Sequence, residues 1–349
     1  MKEISNLPSQ VLENVISQQG MPEDRLPARA PNALAWQSIL CALAPPAAGL
    51  LVLLLHKFLP NEQSAVPTRA YPRLLEILMA ATLLLAVVQW AWRRARAWAR
   101  HNGPLLAGAF AWLGIWDLIT LKLNWLPLPY FPGPDVVFQG MVDDRAILLD
   151  STYRSLKLLF TGYLAGVVSG VVSGVLIGWF RYVRYWGMPA IKLVGPVPAT
   201  ALIPLAMVLF ANTFFSGAAL IAWAVWFPVT MLTASGIANV PISYLDVART
   251  LGARRGYLIF RVAIPSALPT IFVGVFMGLL VSFLTLCVAE TVGVKNGLGY
   301  YVKWQQGYAE YGKVFGALII MGTIFSGLLT LLFKLRDWVL VWQKGVIQW

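Results

Sequence analysis

Eight long apolar runs constrain this chain more than anything else in it. They extend from about Ala33 to Leu55, up to Trp92, and over Leu105 to Leu126, Leu158 to Phe180, Pro189 to Phe210, Ala218 to Ile237, Ala267 to Ala289 and Val314 to Phe333. About 20 mostly apolar residues carry a helix across the hydrocarbon core of a bilayer. Lipid offers the backbone no hydrogen-bond partners, so runs of this length must close their own bonds as helices. None shows the short apolar–polar alternation of a membrane β-barrel strand. Charged residues make up 12% of the 349 residues, about half the share in soluble domains. The fold expected is an all-α polytopic membrane protein with about eight transmembrane helices.

A net charge of +12 could suggest nucleic acid, but the basic residues stand beside the apolar runs. There they act as topology signals, and no nucleic-acid partner is expected. The densest group is Arg93, Arg94, Arg96 and Arg100, which should face the cytoplasm. That places both termini inside and leaves the loops at His56–Arg73 and Leu126–Asp150 outside. Trp92, Trp98, Trp125 and Trp186 lie near run ends, as interfacial rings against membrane lipid do. Residues 1–33 read as a polar cytoplasmic segment with no cleaved leader, in which Val11, Leu12, Val15 and Ile16 recur at helical spacing.

Little in the chain suggests an enzyme. Cys41 and Cys287 sit inside apolar runs, and no disulfide framework or metal-ligand spacing exists. The two histidines, His56 and His101, fall in loops on opposite faces, and no catalytic residue is assigned. Asp117 and Lys122 lie inside the third run, where charges are costly and face protein or water; their pairing is open. The acids Asp135, Asp143, Asp144 and Asp150 read as a solvated external loop. Gly162, Gly166, Gly170, Gly174 and Gly178 repeat every fourth residue and should let another helix approach one face. Pro196, Pro198 and Pro204 must bend or break the fifth run, and the freed carbonyls mark a wall of a translocation path. Ser282, Thr285 and Glu290, at the far end of the seventh run, are further candidates for that path.

The polar stretch Asp246–Pro265, DVARTLGARRGYLIFRVAIP, separates the sixth and seventh runs. Gly252 there permits either a close backbone approach or the left-handed turn that stops a helix. The spacing resembles the "EAA loop" of binding-protein-dependent ABC importer permeases: E-A-A, three residues, Gly, nine residues, I-x-L-P. Asp246, Val247 and Ala248 stand at E-A-A, Gly252 at Gly, and Val262 to Pro265 at I-x-L-P. Asp for Glu and Val for Ala are departures. VGPVPATALIPLAMVLF and AETVGVKNGLGY resemble the nitrate/sulfonate/taurine-type branch.

The resemblance implies a type I permease core of six helices over residues 104–349, with an extra N-terminal pair over 34–103. It implies coupling to ATPase subunits through Asp246, Ala248, Gly252, Ala253 and Pro265. It further implies a homodimer in a bacterial inner membrane, two ATP-binding subunits holding ATP and Mg, a substrate-binding protein, and a small anion such as nitrate, sulfonate, taurine or bicarbonate. The chain has no G-x-x-x-x-G-K-[ST] phosphate loop of its own. A secondary transporter of small solutes is the alternative; it predicts internal repeats and several intramembrane carboxylates.

Overall fold

A computed structural model describes residues 31–62, 68–91 and 93–342, with side chains described outside 31–42, 89–91, 93–97 and 100. The helical spacing at Val11–Ile16, Trp92, and the side chains of Cys41, Arg93, Arg94, Arg96 and Arg100 lie outside that description. The described residues are helical throughout, with no strand among them. Six helices are long and apolar enough to cross a membrane, or up to seven when one bent pair is counted as a span. The helix Pro31–Phe58 comes in addition, with an apolar section Leu43–Phe58.

The chain forms two compact units. The first holds α1 (Pro31–Phe58), α2 (Ala70–Ala91) and α3 (Arg93–Asp117), the last continued by a wide turn, Leu118–Lys122. The basic run therefore opens a helix. The boundary expected at 103/104 falls inside α3, and the third apolar helix groups with the first two, with the unit closing at Asn124.

The charges inside this unit find partners at one end of it. In the wide turn the Leu123 N–H donates to Leu118 O, five residues back, at 2.9 Å. Widening the turn brings Lys122 round toward the face that carries Asp117. Asp117, 1% exposed, pairs with His56 Nδ1 at 3.1 Å, and Tyr71 stands edge-on to the His56 ring. Lys122 Nζ donates to His56 O, Leu59 O and Asn61 Oδ1 at 2.9, 2.6 and 2.6 Å. His56 O is a last-turn carbonyl of α1, which has no partner within its own helix, and Leu59 O lies just past the helix end. His56 and His101 thus both lie in helices, not loops. Lys122→Met keeps the stem and removes the donors. It should cost about 1–3 kcal/mol, read as a lower Tm of the purified protein. An unchanged Tm would show that water serves those carbonyls equally well.

The second unit runs from α4 (Pro134–Asp143) through α5 (Arg145–Trp179), α6 (Arg181–Val194), α7 (Ile203–Leu209), α8 (Thr213–Ala238), α9 (Ile242–Thr250), α10 (Ile264–Ala289) and α11 (Leu298–Gly307) to α12 (Tyr311–Val339). Its spine is the α5–α8 seam. A Cβ added at Gly162, Gly166, Gly170 or Gly178 would fall 2.6–2.8 Å from the Cβ of Ile221, Val225, Val229 or Ile237, and one at Gly174 would meet Thr233 closer still. The five glycines are buried and face a ridge of α8 with the same four-residue spacing, so only hydrogen fits between the backbones. Ser173 links the same pair in its polar register, 2.8 Å from Thr230 Oγ1 and accepting from Trp226 Nε1 at 3.0 Å. Tyr163 Oη donates to Val275 O at 2.9 Å and brings α10 against the seam.

The acidic segment is largely helical; Asp143 and Asp150 are exposed, as expected, while Asp135 and Asp144 are drawn into the protein. Asp135 is 2% exposed in the first turn of α4, where a carboxylate meets the positive helix end. Asp144 accepts from Tyr301 Oη at 2.7 Å and pairs with Lys313 at 3.2 Å. The stretch Thr291–Lys313, rich in Gly and Tyr, contains α11.

Candidate functional site

Two places in the second unit carry unusual local structure, and α10 connects them. The first is the segment between α8 and α10. α9 starts after Pro241 and has no buried residue. Ile242, Tyr244, Val247 and Leu251 are 71%, 57%, 61% and 82% exposed. This short helix thus carries exposed apolar side chains beside exposed Arg249, Arg254, Arg255 and Arg261.

The spacing from Ala248 to Ala253 has a local cause. Gly252 adopts φ +81°; its N–H donates to Arg249 O at 2.9 Å and that of Ala253 to Ala248 O at 3.0 Å. These are the paired bonds of a glycine-terminated helix end, which settle two of its orphan carbonyls. The glycine is needed for its left-handed backbone, not for packing within the subunit: no atom lies within 4 Å of an added Cβ. Asp246 pairs with Arg249 at 3.0 Å across the exposed surface. Pro265, the second residue of α10, follows the wide turn Leu258–Ala263, where the four-residue ladder is already broken and a missing N–H costs little.

The second place is the other end of α10, about 39 Å away at 1.5 Å per residue. The helix passes into a wide turn, Glu290–Val294, and the chain reverses through Lys295 (φ 52°) and Gly297 (φ 93°) into α11. Glu290, 1% exposed, accepts from Ser155 Oγ at 2.5 Å and from the Gly299 N–H at 2.7 Å. Ser155 in turn accepts from the Leu298 N–H at 2.8 Å. Two orphan donors of the first turn of α11 are thus met by a carboxylate and a hydroxyl from two other elements. A side chain at Gly297 would overlap Glu290 Oε1. In the same first turn of α11, burial and the bond to Asp144 push the Tyr301 phenol above its ordinary pKa, so it stays a donor at physiological pH.

The candidate path residues part company. Pro196, Pro198 and Pro204 are exposed, at the break where α6 and the helical stretch Ala199–Leu209 meet at 83°. Ser282 and Thr285 are buried within the subunit at 0% and 5% exposure, and their hydroxyls donate to Leu279 O and Val281 O of their own helix. That placement runs against a passage lined by these two hydroxyls. Glu290 is buried but has Ser155, Gly297 and Gly299 around it, none singled out in the sequence. A glycine pair two residues apart after an acid was the available signal.

Residues 165–340, half of the chain, match the family described as binding-protein-dependent transport system inner membrane component. The chain is similar to the taurine transport system permease protein TauC of Escherichia coli (strain K12), 31% identical over 62% of this chain and 79% of that one. It is also similar to the formylaminopyrimidine transport permease protein ThiX of Halalkalibacterium halodurans, 23% identical over 66% and 92%. Among solved structures, one of the MetNI methionine ABC transporter in inward-facing conformations covers 56% of this chain and 98% of its own, with a TM-score of 0.49 and 15% identity. The family match spans the α5–α8 seam, the α9 segment and the Glu290 reversal together, so this chain belongs to the binding-protein-dependent transport system inner membrane components, the multi-pass permease subunits of ABC importers.

Proposed function

We propose that two copies of this chain form the passage for a small anion of the sulfonate, taurine, nitrate or bicarbonate class. The family implies association with ATP-binding subunits and a substrate-binding protein; in this reading ATP and Mg are held by the former, below α9. α9 faces the cytoplasm and the Glu290 end of α10 faces outward. The passage runs along the exposed prolines of the α6–α7 break, closed off by the second copy. ATP closure moves α9, and the rigid α5–α8–α10 body follows, shifting the population between inward and outward states. Resemblance to TauC supports a cargo with a sulfonate group, while ThiX shows that a relative's name can point to a different cargo.

The observation that carries the coupling role is α9 itself, a helix with no buried residue and an apolar outer face. Val247→Glu and Leu251→Glu should leave membrane insertion intact and abolish co-purification with a co-expressed ATP-binding subunit. Retention of that subunit by both variants would remove α9 from the contact. Orientation has its own check. A thiol introduced at Arg255 should resist impermeant reagents added outside, and one at Asn296 should react.

A further inference from the structure

One cavity of the second unit has no role in the account so far. A cleft of about 340 Å³ opens beside the Glu290 clamp, between α5, the start of α8 and the Glu290–Asn296 reversal. Its volume is at the lower end of the range for small-molecule sites. Most of its charges are already engaged. Arg154 Nε donates to Asp150 Oδ2 at 2.7 Å, and both Glu290 oxygens face Ser155 and the α11 N-terminus. Lys157 is different. It lies over the Phe214 ring, 5.7 Å from its centroid, with no carboxylate in ion-pair range among the described residues. Asn212 caps α8 by accepting from the Phe214 N–H at 2.8 Å, which leaves its side-chain NH₂ uncommitted. Asn296 adds a second amide from the reversal.

We infer that this cleft is a vestibule for a small organic anion, its sulfonate or carboxylate group held by the Lys157 ammonium and the amides of Asn212 and Asn296. This rests on the anion reading above. A cation would meet the Lys157 ammonium first, because Asp150 is paired with Arg154 and the Glu290 oxygens are turned into the α11 N-terminus. A sulfonate meets that ammonium and two neutral donors, enough to gather it from solution without binding it tightly. An exposed lysine is a point charge that releases its ligand readily, as the entrance of a transport path requires.

The test uses the permease with its ATP-binding subunits, carrying Thr213→Cys at the cleft lining, and follows the introduced thiol by mass spectrometry. It is treated with a sulfonate-bearing or a quaternary-ammonium-bearing methanethiosulfonate, each rate normalised to that of a free thiol. One unpaired positive charge nearby should favour the anionic reagent about tenfold. Lys157→Met should bring the ratio to near one, and Lys157→Arg should restore it. Sodium ethanesulfonate at millimolar concentration should slow labelling only where the charge at position 157 is present. A ratio near one with Lys157 intact overturns the vestibule, even for a complex that imports sulfonates. Protection by the cargo-free binding protein but not by ethanesulfonate also overturns it, since the lysine then belongs to a protein contact. If the ratio and the protection hold while the reconstituted complex moves only neutral or cationic solutes, the site stands and the anion-cargo reading falls.

Discussion

Gly252→Asp should insert normally and lose ATP-driven uptake by at least tenfold. The geometry separates two causes for that loss. At φ +81° a non-glycine residue pays about 1–2 kcal/mol for left-handed backbone, though Asn and Asp pay least. Inside the subunit nothing else opposes a side chain, because no atom lies within 4 Å of the added Cβ. Strain alone would fray the last turn of α9 and leave the rest of the chain folded. A docked partner changes the outcome, because a carboxylate pressed into that contact without a counter-charge is worth several kcal/mol. Gly252→Asn provides the control, with nearly the same shape and backbone preference and no charge. The expected order of uptake is wild type, then Asn, with Asp near zero. Equal uptake by Asn and Asp would reduce Gly252 to a helix stop, and wild-type uptake by Asp would falsify the coupling role.

The helical fold was legible because apolar length is a one-dimensional property. The α5–α8 seam was legible for a similar reason: glycines at every fourth residue from Gly162 to Gly178 can only serve a close helix contact, and each now faces Ile221, Val225, Val229, Thr233 or Ile237. What escaped depended on where distant residues meet. The pairing of Asp117 and Lys122 stayed open, since α-helical geometry does not directly stack residues five apart. A wide turn and α1 resolved them separately, through His56 and through carbonyls. The third apolar helix joined the first two for the same reason, because its polar partners are on α1 and next to α2. Ser282 and Thr285 depend on their surroundings in the same way. Two hydroxyls on one helix face suggest a polar passage, yet each is satisfied by the carbonyl three or four residues back, so the face can be buried at little cost. Pro196, Pro198 and Pro204 are exposed instead, and they are the better candidates for a wall.

The Glu290 clamp should be the most sensitive point of the second unit. Gly297→Ala places a methyl on top of Glu290 Oε1, with Ser155 Oγ 2.7 Å away, at a residue with φ +93°. The carboxyl group is 1% exposed and both its oxygens are engaged. Moving it strands a buried polar group and releases the Gly299 N–H, and displacing Ser155 with it releases that of Leu298. The expected loss is about 3–5 kcal/mol, seen as a large fall in Tm of the purified protein. Glu290→Gln keeps the shape and one acceptor oxygen. It should cost only about 1 kcal/mol, for the charge lost at the helix N-terminus. A double-mutant cycle isolates the contact. Glu290→Ala removes the atoms that the new methyl strikes, so combining it with Gly297→Ala should cost less than the sum of the two by more than about 1 kcal/mol. Simple additivity would mean that Gly297 is there for its backbone angle alone. The clamp would then be two unrelated features side by side, and the reversal between α10 and α11 would be free to move without Glu290.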